Sequence, residues 1–363
     1  METVDRSNGS VAVRNFGVKN EGDHSMRKRV CIIYTGGTIG MVPGEHGYVP
    51  SDTALTEAME SMRLLKDEKM PYIDIVQFTP LLDSSNMSIA EWNKIGEAIY
   101  ERYDKYDGFV ILHGTDTMSY SASALSFMLE NLNKPVVFTG SQIPLCEIRS
   151  DGYNNIITSV IIAADGITNE VCIYFDGKLI RGCRETKMSS THFAAFDSPN
   201  YDSLAEVGIE IEYRKNYTPP QRCGEMRLTR LKEIPVGIIK MFPGIQIRIF
   251  ESIMTEQLKG VILETFGAGN IPTSSSGALI PIIEKAYRNG ILVVVCSQCI
   301  QGSVSLGAYE ASKSLIDIGA ISGGDMTTEA SMTKLIYLFS KGLTVQEISK
   351  QMTVNICGEI TEM

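Results

Sequence analysis

The chain has few of the residues on which metal and nucleic-acid sites depend. It contains four histidines and one tryptophan in 363 residues, and its net charge is −10. An acidic surface repels phosphate backbones, so this charge argues against a nucleic-acid partner. No apolar run approaches the about 20 residues of a membrane-spanning helix, so we expect no membrane partner.

Signatures for nucleotides and metals are also missing. The loop "TGGTIG", which begins at Thr35, matches neither G-x-G-x-x-G nor G-x-x-x-x-G-K-[ST], and no lysine follows it. Taken alone, this loop is a plain turn or a weak nucleotide candidate. Cys296 and Cys299 have C-x-x-C spacing, but no second pair stands where it would complete a zinc site. We therefore expect neither a metal nor a cofactor.

The N-terminal segment is polar and rich in Gly, Asn and Ser, and it lacks the apolar stretch of a secretory signal. We expect residues 1–25 to form a disordered tail. Most of the eight cysteines lie within apolar runs, as buried free thiols do. Together these observations predict a chain located in a reducing cytoplasm.

Apolar runs rich in β-branched residues alternate with segments of helical periodicity. The apolar runs end in Gly, Thr, Ser or Pro, as "CIIYTGG", "FVILHGT" and "ILVVVCS" illustrate. Segments with helical periodicity include 88–106, 117–131, 152–164, 276–288 and 330–339. Ser88, which is followed by Glu91, and Thr327 are helix-start signals. Continuous apolar strands that alternate with helices indicate parallel sheets covered on both faces, so we predict an α/β fold.

The pattern predicts two doubly wound α/β domains, a larger N-terminal one and a smaller C-terminal one. The alternation breaks between residues 197 and 235, where apolar runs are few. We therefore expect an N-terminal catalytic domain at 26–212, a linker at 213–235 and a C-terminal domain at 236–363. Within the first domain, "EVCIYFDGKLIRGCR" predicts a β-hairpin with Asp176-Gly177 as its turn.

Hydroxyl-rich loops follow four of the predicted strands. They are "TGGT" ending at Thr38, "TPLLDSSNMS" beginning at Thr79, "HGTDT" beginning at His113 and "TGSQIP" beginning at Thr139. In an open parallel sheet, ligands bind beyond the carboxyl ends of the strands, so we expect these loops to form the site. Their side chains are mostly hydroxyls with few acids and bases, which favours a hydroxyl nucleophile over a metal.

A threonine nucleophile needs a base and a group that orients the base. No histidine suits a Ser-His-Asp arrangement, because His113 lies on the strand side of its loop. Lys187, in "RETKMSS", follows the hairpin that returns to the same sheet, and Tyr48, in "GEHGYVP", lies in a segment that could fold over the site as a lid. Taken singly, Lys187 is more typical of a surface lysine and Tyr48 of a packed loop aromatic, so only their combination favours catalysis.

Several segments together resemble the L-asparaginase family. "YTGGTIGM" and "DGFVILHGTDTM" resemble its two signature segments, and the likeness continues through "TPLLDSSNM", "FTGSQIPLCEIRSDG" and "GGDMTTEASMTKL". It runs from about Arg27 to the C-terminus, and the form of the segments resembles the bacterial cytoplasmic (type I) branch. The resemblance implies hydrolysis of L-asparagine to L-aspartate and ammonia through a β-aspartyl ester, without a cofactor.

The resemblance also implies roles for individual residues. Thr38 corresponds to the nucleophile and Tyr48 to the lid tyrosine beside it. Thr115 and Asp116 correspond to the second catalytic threonine and its acid, and both are expected to contact the substrate. Lys187 corresponds to the lysine that completes this second set. The physical logic agrees, because a lysine held by a carboxylate lowers the cost of deprotonating a hydroxyl or a water.

The expected substrate contacts come from the loop with Asp83, Ser84 and Ser85, which corresponds to the loop that binds the α-amino and α-carboxylate groups. A regulatory asparagine site near Thr186 and Cys299 is implied for the type I branch. Two departures from the family's pattern are present. Asn86 replaces an acid that many relatives carry. Glu264 stands where those relatives tend to have arginine, and this reversed charge argues against the regulatory site.

Two other functions fit parts of the pattern. An amidotransferase subunit that acts on glutaminyl-tRNA uses a similar fold, but the short polar N-terminal segment and the negative charge argue against it. A binding module that senses asparagine without turning it over is the other alternative, and the complete catalytic set argues against that. The resemblance further implies a homodimer or homotetramer.

Overall fold

The computed structural model describes residues 12–16, 27–220, 222–246, 248–255, 257–307 and 310–362, and they form two compact units. Unit 1 holds the described residues up to 197 together with 203–228, and unit 2 holds 198–202 and the described residues from 229 onward. Residues 213–228, which we assigned to a linker, thus belong to unit 1. The domain boundaries taken from the sequence otherwise stay a prediction.

Unit 1 is built on strands that alternate with helices. Its strands are β1 (Ala12–Phe16), β2 (Arg29–Gly36), β3 (Met41–Gly44), β4 (Gly47–Pro50), β5 (Tyr72–Leu82), β6 (Gly108–Leu112), β7 (Leu129–Glu130), β8 (Val136–Thr139), β9 (Val171–Phe175), β10 (Lys178–Arg181), β11 (Thr186–Lys187), β12 (Phe196–Asp197), β13 (Ala205–Val207), β14 (Ile211–Tyr213) and β15 (Arg227–Leu228). Its α-helices are α1 (Ala54–Ser61), α2 (Ile89–Tyr100), α3 (Met118–Met128) and α4 (Gly152–Asp165). Short 3-10 turns lie at Thr38–Gly40, Arg63–Lys66, Ser84–Asn86, Tyr103–Lys105 and Thr115–Thr117.

The main sheet of unit 1 has nine strands in the order β1-β5-β2-β6-β8-β9-β10-β13-β14. The five central strands β5, β2, β6, β8 and β9 run parallel, whereas the outer strands pair antiparallel. The consecutive residues Val30 to Ile33 of β2 are all fully buried. This burial on both faces explains why the central strands read as continuous apolar runs.

The predicted hairpin and helix starts are confirmed. Strands β9 and β10 pair antiparallel, and the connecting Asp176 and Gly177 both have positive φ, 44° and 84°. Positive φ at both turn residues is the geometry that favours Asp-Gly between strands. Ser88 accepts a hydrogen bond from the backbone N–H of Ala90 at the start of α2, as a helix-capping serine does.

The prediction of a disordered N-terminal tail is wrong for Ala12–Phe16. These five residues form β1, which pairs antiparallel with β5 at the edge of the sheet, Val13 opposite Val76. The edge of β5 offers unpaired backbone N–H and C=O groups. A segment that pairs with them gains backbone hydrogen bonds, and this gain does not depend on the polar side chains that suggested disorder. The remaining residues of 1–25 lie outside the described residues.

Unit 2 is a second, smaller parallel α/β unit. Its strands are β16 (Val236–Lys240), β17 (Gly260–Thr265), β18 (Leu292–Ser297) and β19 (Ile321–Ser322), and its helices are α5 (Arg248–Ile253), α6 (Thr273–Arg288), α7 (Glu310–Asp317), α8 (Thr328–Ser340) and α9 (Val345–Met352). The four strands pair parallel in chain order. Thr327 caps α8 by accepting from the N–H of Ala330, as its sequence signal predicts. No helix in the described ranges of either unit is long and apolar enough to cross a membrane.

A fully buried ion pair joins α8 to the C-terminal segment of unit 2. Lys334 Nζ lies 2.6 Å from Glu359 Oε1, and both side chains have 0% exposure. The same amine donates to the backbone carbonyls of Met352 at 2.9 Å and Val354 at 2.6 Å. The Glu359 carboxylate in turn accepts from the N–H groups of Ile356 and Cys357. The pair therefore ties the segment after α9 to the core of the unit.

Replacing Glu359 by alanine should destabilise unit 2, because it leaves the Lys334 charge buried without its carboxylate. The expected loss in unfolding free energy is about 3–5 kcal/mol. Urea denaturation followed by circular dichroism measures it. Glu284→Ala is the control, since its ion pair with Arg288 is exposed and worth at most about 1 kcal/mol. Equal losses in the two variants would contradict the stabilising role given to the buried Lys334–Glu359 pair.

Candidate active site

Two consecutive glycines let the end of β2 approach its neighbours more closely than any side chain would allow. Gly36 has φ 129°, and a Cβ there would lie 2.1 Å from the carbonyl oxygen of Leu82. Gly37 has φ 93°, and a Cβ there would lie 2.5 Å from both the N and the Cα of Gly114. Because glycine alone tolerates both this φ and this contact, the "TGGT" loop packs directly against the "HGTDT" loop.

A third glycine brings in the loop after β5. A Cβ on Gly114 would lie 2.5 Å from Ser84 Oγ, and Ser84 is buried beneath it. Thr117 Oγ1 also donates to the carbonyl oxygen of Ser84 at 2.7 Å. Three of the four hydroxyl-rich loops are therefore assembled at one edge of the sheet by close contacts at glycines and by the hydrogen bond from Thr117.

Thr38 is the first residue of the 3-10 turn that follows Gly37, and it is half-buried. Its position beyond the glycine contact places it at the junction of the "TGGT" and "HGTDT" loops. Thr35 is different, because its hydroxyl is buried and donates to the carbonyl oxygen of Leu112 at 3.0 Å. Of the two threonines in this loop, Thr35 is thus a structural strand-end residue.

Lys187 reaches two of the predicted site residues. Its Nζ lies 2.8 Å from Thr115 Oγ1 and 2.7 Å from Asp116 Oδ1. The lysine side chain is 18% exposed, whereas that of Asp116 is 68% exposed. The backbone of Lys187 is held in β11, opposite Phe196 of β12. The amine therefore lies between a hydroxyl and a carboxylate. Together, these three groups can hold or move a proton.

Gln142, which the sequence did not single out, also contacts this cluster. Thr115 Oγ1 donates to Gln142 Oε1 at 3.3 Å, and Gln142 Nε2 donates to the carbonyl oxygen of His192 at 3.0 Å. The N–H of Gln142 is bound by the Asp151 carboxylate at 3.0 Å. Its loop, "TGSQIP", was recognisable as a strand-end loop, but no local pattern distinguishes this amide from an ordinary turn residue.

The predicted substrate loop is a capped 3-10 turn. Asp83 Oδ1 accepts from the N–H of Ser85 at 2.9 Å, which fixes the start of the turn at Ser84–Asn86. Asp83 and Ser85 are exposed, whereas Ser84 is buried against Gly114. Ser84 therefore joins two loops, and the exposed side chains on this turn are those of Asp83, Ser85 and Asn86.

Tyr48 lies on the β3–β4 hairpin, which immediately follows the turn that begins at Thr38. Its side chain is about half exposed, and its hydroxyl donates to Glu147 Oε1 at 2.9 Å. This hydrogen bond to a carboxylate raises the pKa of Tyr48. The structure thus presents Tyr48 on a surface hairpin with Glu147 as its partner, while its role as a lid residue stays a prediction.

His113 is fully buried and serves the fold. Its Nδ1 lies 2.7 Å from the carbonyl oxygen of Gly114, and its Nε2 lies 2.9 Å from Ser121 Oγ, which also accepts from Trp92 Nε1. Burial lowers the pKa of His113 to about 4, so the ring is neutral at neutral pH. This agrees with the expectation that His113 does not serve a Ser-His-Asp arrangement.

The residues of the implied regulatory site lie in different units. Thr186 belongs to β11 in unit 1, and Cys299 is an exposed residue of unit 2. Glu264 is held within unit 2, where its Oε1 accepts from Thr328 Oγ1 at 2.7 Å and its Oε2 lies 3.9 Å from Lys240 Nζ. The regulatory site stays a prediction, and Glu264 presents a carboxylate already bound by the protein.

The two cysteines of the C-x-x-C pair differ in burial. Cys296 is buried and its Sγ lies 3.2 Å from Ser331 Oγ, and burial raises the pKa of its thiol to about 12. Cys299, by contrast, is exposed. Within the described part of the chain, no group of three or more His, Cys, Asp or Glu side chains is arranged to hold a metal ion.

Comparison with known proteins gives matches over both units. Residues 29–219 match the family profile "Asparaginase, N-terminal", and residues 235–352 match "Glutaminase/Asparaginase C-terminal domain". The chain is 43% identical over 335 residues to "L-asparaginase 1" of Escherichia coli K12, a match that covers 92% of this chain and 98% of that protein. It is 40% identical to "L-asparaginase" of Dirofilaria immitis, over 92% of this chain and 60% of that protein. The crystal structure of L-asparaginase I from Vibrio cholerae is similar, with a TM-score of 0.86 at 42% identity, over 93% of this chain and 100% of that chain. These matches confirm the two-domain α/β fold.

Replacing Gly37 by alanine should separate the loops, because the new Cβ would overlap the backbone of Gly114. We expect a loss of about 3 kcal/mol or more in unfolding free energy, and faster amide hydrogen exchange in both loops. Gly166→Ala is the matched control, since Gly166 has φ 67° but nothing within 4 Å of a Cβ, and strain alone costs about 1 kcal/mol. If Gly37→Ala and Gly166→Ala had the same stability and the same hydrogen exchange, the close approach of Gly37 to Gly114 would not constrain the site.

The buried His113 should make the protein less stable in acid. Its pKa is lowered from 6.5 to about 4 in the fold, so the unfolded chain binds the extra proton first as pH falls. Stability from this residue is fully present above pH 6.5 and decreases towards pH 4, by on the order of 3 kcal/mol in total. NMR titration of the imidazole checks the midpoint, and urea denaturation of His113→Asn should show a shallower pH dependence. A titration midpoint near 6.5 would contradict the prediction.

Proposed function

Because the chain belongs to the asparaginase family, we propose that it hydrolyses L-asparagine to L-aspartate and ammonia with Thr38 as the nucleophile. The observation that carries this proposal is the position of Lys187 Nζ, within hydrogen-bond distance of both Thr115 Oγ1 and Asp116 Oδ1. The loop that holds Thr115 packs against the loop that holds Thr38 through Gly37 and Gly114. A nucleophile and a proton-handling group are thereby supplied on adjoining loops.

The reaction proceeds in two halves. In the first, Thr38 Oγ attacks the carbon of the substrate's side-chain amide and loses its proton, while the amide nitrogen gains a proton and leaves as ammonia. The product of this half is a β-aspartyl ester on Thr38. In the second half, water attacks the ester carbon, aspartate is released and a proton returns to Thr38 Oγ.

Thr115 and Lys187 suit the proton steps. The lysine amine donates to Thr115 Oγ1, so the proton of Thr115 is directed elsewhere, and in the structure it is directed to Gln142 Oε1. A substrate or water that replaces Gln142 as the acceptor would receive a hydrogen bond from a Thr115 hydroxyl that Lys187 holds in place. Asp116 keeps the amine in place and, being largely exposed, also offers a carboxylate oxygen to the substrate ammonium.

The turn with Asp83 and Ser85 is the other proposed contact for the substrate. Both side chains are exposed on a turn that the buried Ser84 fastens to the "HGTDT" loop. An amino acid bound there by its α-amino and α-carboxylate groups would be oriented by fixed backbone, which is how binding energy restricts a substrate to a reactive geometry.

The cellular setting and assembly stay proposals as well. All eight cysteines are free thiols in the structure, and this supports the predicted reducing cytoplasm. A homodimer or homotetramer is expected for a member of this family, and gel filtration with light scattering tests it.

Removal of the Thr38 hydroxyl should abolish turnover. Thr38→Val and Lys187→Met are each expected to lower kcat for ammonia release from L-asparagine by about 10³-fold or more. Thr35→Val removes a hydroxyl three residues away that only bonds Leu112, and Lys178→Met removes an exposed lysine, so both should stay within a few-fold of wild type. Wild-type turnover in Thr38→Val would refute the nucleophile. Calorimetric binding of asparagine without ammonia release by the wild type would instead indicate a binding module.

A further inference from the structure

Three hydroxyl side chains on one helical run hold the segment that leads to Lys187. Thr115 lies on the 3-10 turn before α3, and Ser119 and Ser123 lie on α3 itself, each four residues after the previous one. Residues four apart lie on the same face of a helix. In reverse order along the chain, these three bond to Lys187, Glu185 and Gly182. Because the order is reversed, the helix and the segment from 182 to 187 run alongside each other in opposite directions.

The middle contact is the shortest and is completely shielded from water. Ser119 Oγ donates to Glu185 Oε2 at 2.5 Å, and the two residues are 2% and 0% exposed. The contact beyond it, from Ser123 Oγ to the carbonyl oxygen of Gly182, is 3.2 Å long and joins two neutral groups. The Ser119–Glu185 bond is therefore the shorter of the two contacts that α3 itself makes with this segment.

The backbone of Lys187 belongs to a short strand, and the next N–H, that of Met188, donates to the carbonyl oxygen of Ala195 at 2.7 Å. Strand β11 is only two residues long and pairs with the two residues of β12. Glu185 lies two residues before Lys187, and in extended chain side chains two residues apart point to the same side. The side of the segment that presents Lys187 to Thr115 is therefore the side on which Glu185 meets Ser119.

A buried carboxyl group is an expensive way to fasten a turn, because polar groups lose their hydration on burial. An apolar side chain would fill such a position at lower cost, but it would not specify one distance and direction. A hydrogen bond between two buried side chains does specify them. The choice of residue at 185 thus fits a requirement for position more than a requirement for packing.

We propose that Ser119 and Glu185 are positioning residues that set the distance between Lys187 Nζ and Thr115 Oγ1. The proposal rests on the catalytic role proposed for Lys187 and adds that this role needs a second, buried bond one helical turn away. Neither residue is expected to contact the substrate. Loss of the bond should therefore impair the proton steps and leave substrate binding by the Asp83 turn unaffected.

Ser119→Ala tests the proposal, with Ser123→Ala as its matched control. Both variants remove one buried hydroxyl from the same face of α3, and Ser119→Ala should lose more melting temperature because it also removes a donor from the buried Glu185 carboxyl group. Ser119→Ala should lower kcat for ammonia release by about tenfold or more while KM stays within about twofold, because a displaced amine slows chemistry without weakening binding. Ser123→Ala should keep both constants near wild type. Equal kcat values in the two variants, or a loss confined to KM, would overturn the proposal.

Glu185 supplies a second pair of variants that does not depend on Ser119→Ala folding well. Glu185→Gln keeps an oxygen that can accept from Ser119, so its kcat should stay within about threefold of wild type. Glu185→Ala removes the acceptor and should lose kcat as Ser119→Ala does. If glutamine loses as much as alanine, the bond to Ser119 is not what matters and the positioning role is wrong.

The same data distinguish this proposal from the proposed function. A wild-type protein that releases no ammonia from asparagine contradicts the function. An active wild type whose Ser119→Ala and Ser123→Ala variants have the same kcat contradicts only the positioning role. Both proposals are supported if Ser119→Ala loses activity while Ser123→Ala keeps it, and if Glu185→Gln keeps the activity that Glu185→Ala loses.

Discussion

The close contact between glycine backbones is the constraint on which the site depends. Gly36 and Gly37 let the end of β2 touch Leu82 and Gly114, and Gly114 in turn leaves room for Ser84. Parallel strands alone would end about 4.8 Å from their neighbours, with side chains filling the space between the loops. Without Cβ atoms at three points, the loops themselves meet, and the hydroxyls that follow them converge.

This arrangement separates rigid positioning from chemistry. The groups that fix the loops are buried and bonded, such as Thr35 to Leu112 and His113 to Ser121. The groups proposed to react are half-buried or exposed, such as Thr38 and Asp116. Lys187 joins the two sets, since its amine meets the reactive groups while its segment is held by buried bonds to α3. A site built in this way can keep its geometry while its reactive side chains stay accessible to a substrate.

Much of the fold could be predicted, because it depends on local pattern. The parallel strands, the Asp176-Gly177 turn and the capped helix at Ser88 each have a signal within a few residues. The meeting of Thr115 with Lys187 could be anticipated only from the family resemblance, since 72 residues separate them. Gln142 could not be identified, because its contact with Thr115 is tertiary and leaves no mark in its own loop. Strand β1 was missed for a similar reason. It pairs with the distant strand β5, and its own composition gives no sign of that partner.

The unequal exposure of the Lys187–Asp116 pair has a consequence for salt. Asp116 is 68% exposed and Lys187 only 18%, so dissolved ions reach the carboxylate far more readily than the amine. Screening acts over about 10 Å at 0.1 M salt and is much weaker for buried charges. In a saline solution the amine would therefore lose the help of Asp116 first, while the shielded bond between Ser119 and Glu185 would persist. At high salt concentration the position of the Lys187 amine would then depend on the buried Ser119–Glu185 bond, which dissolved ions do not reach.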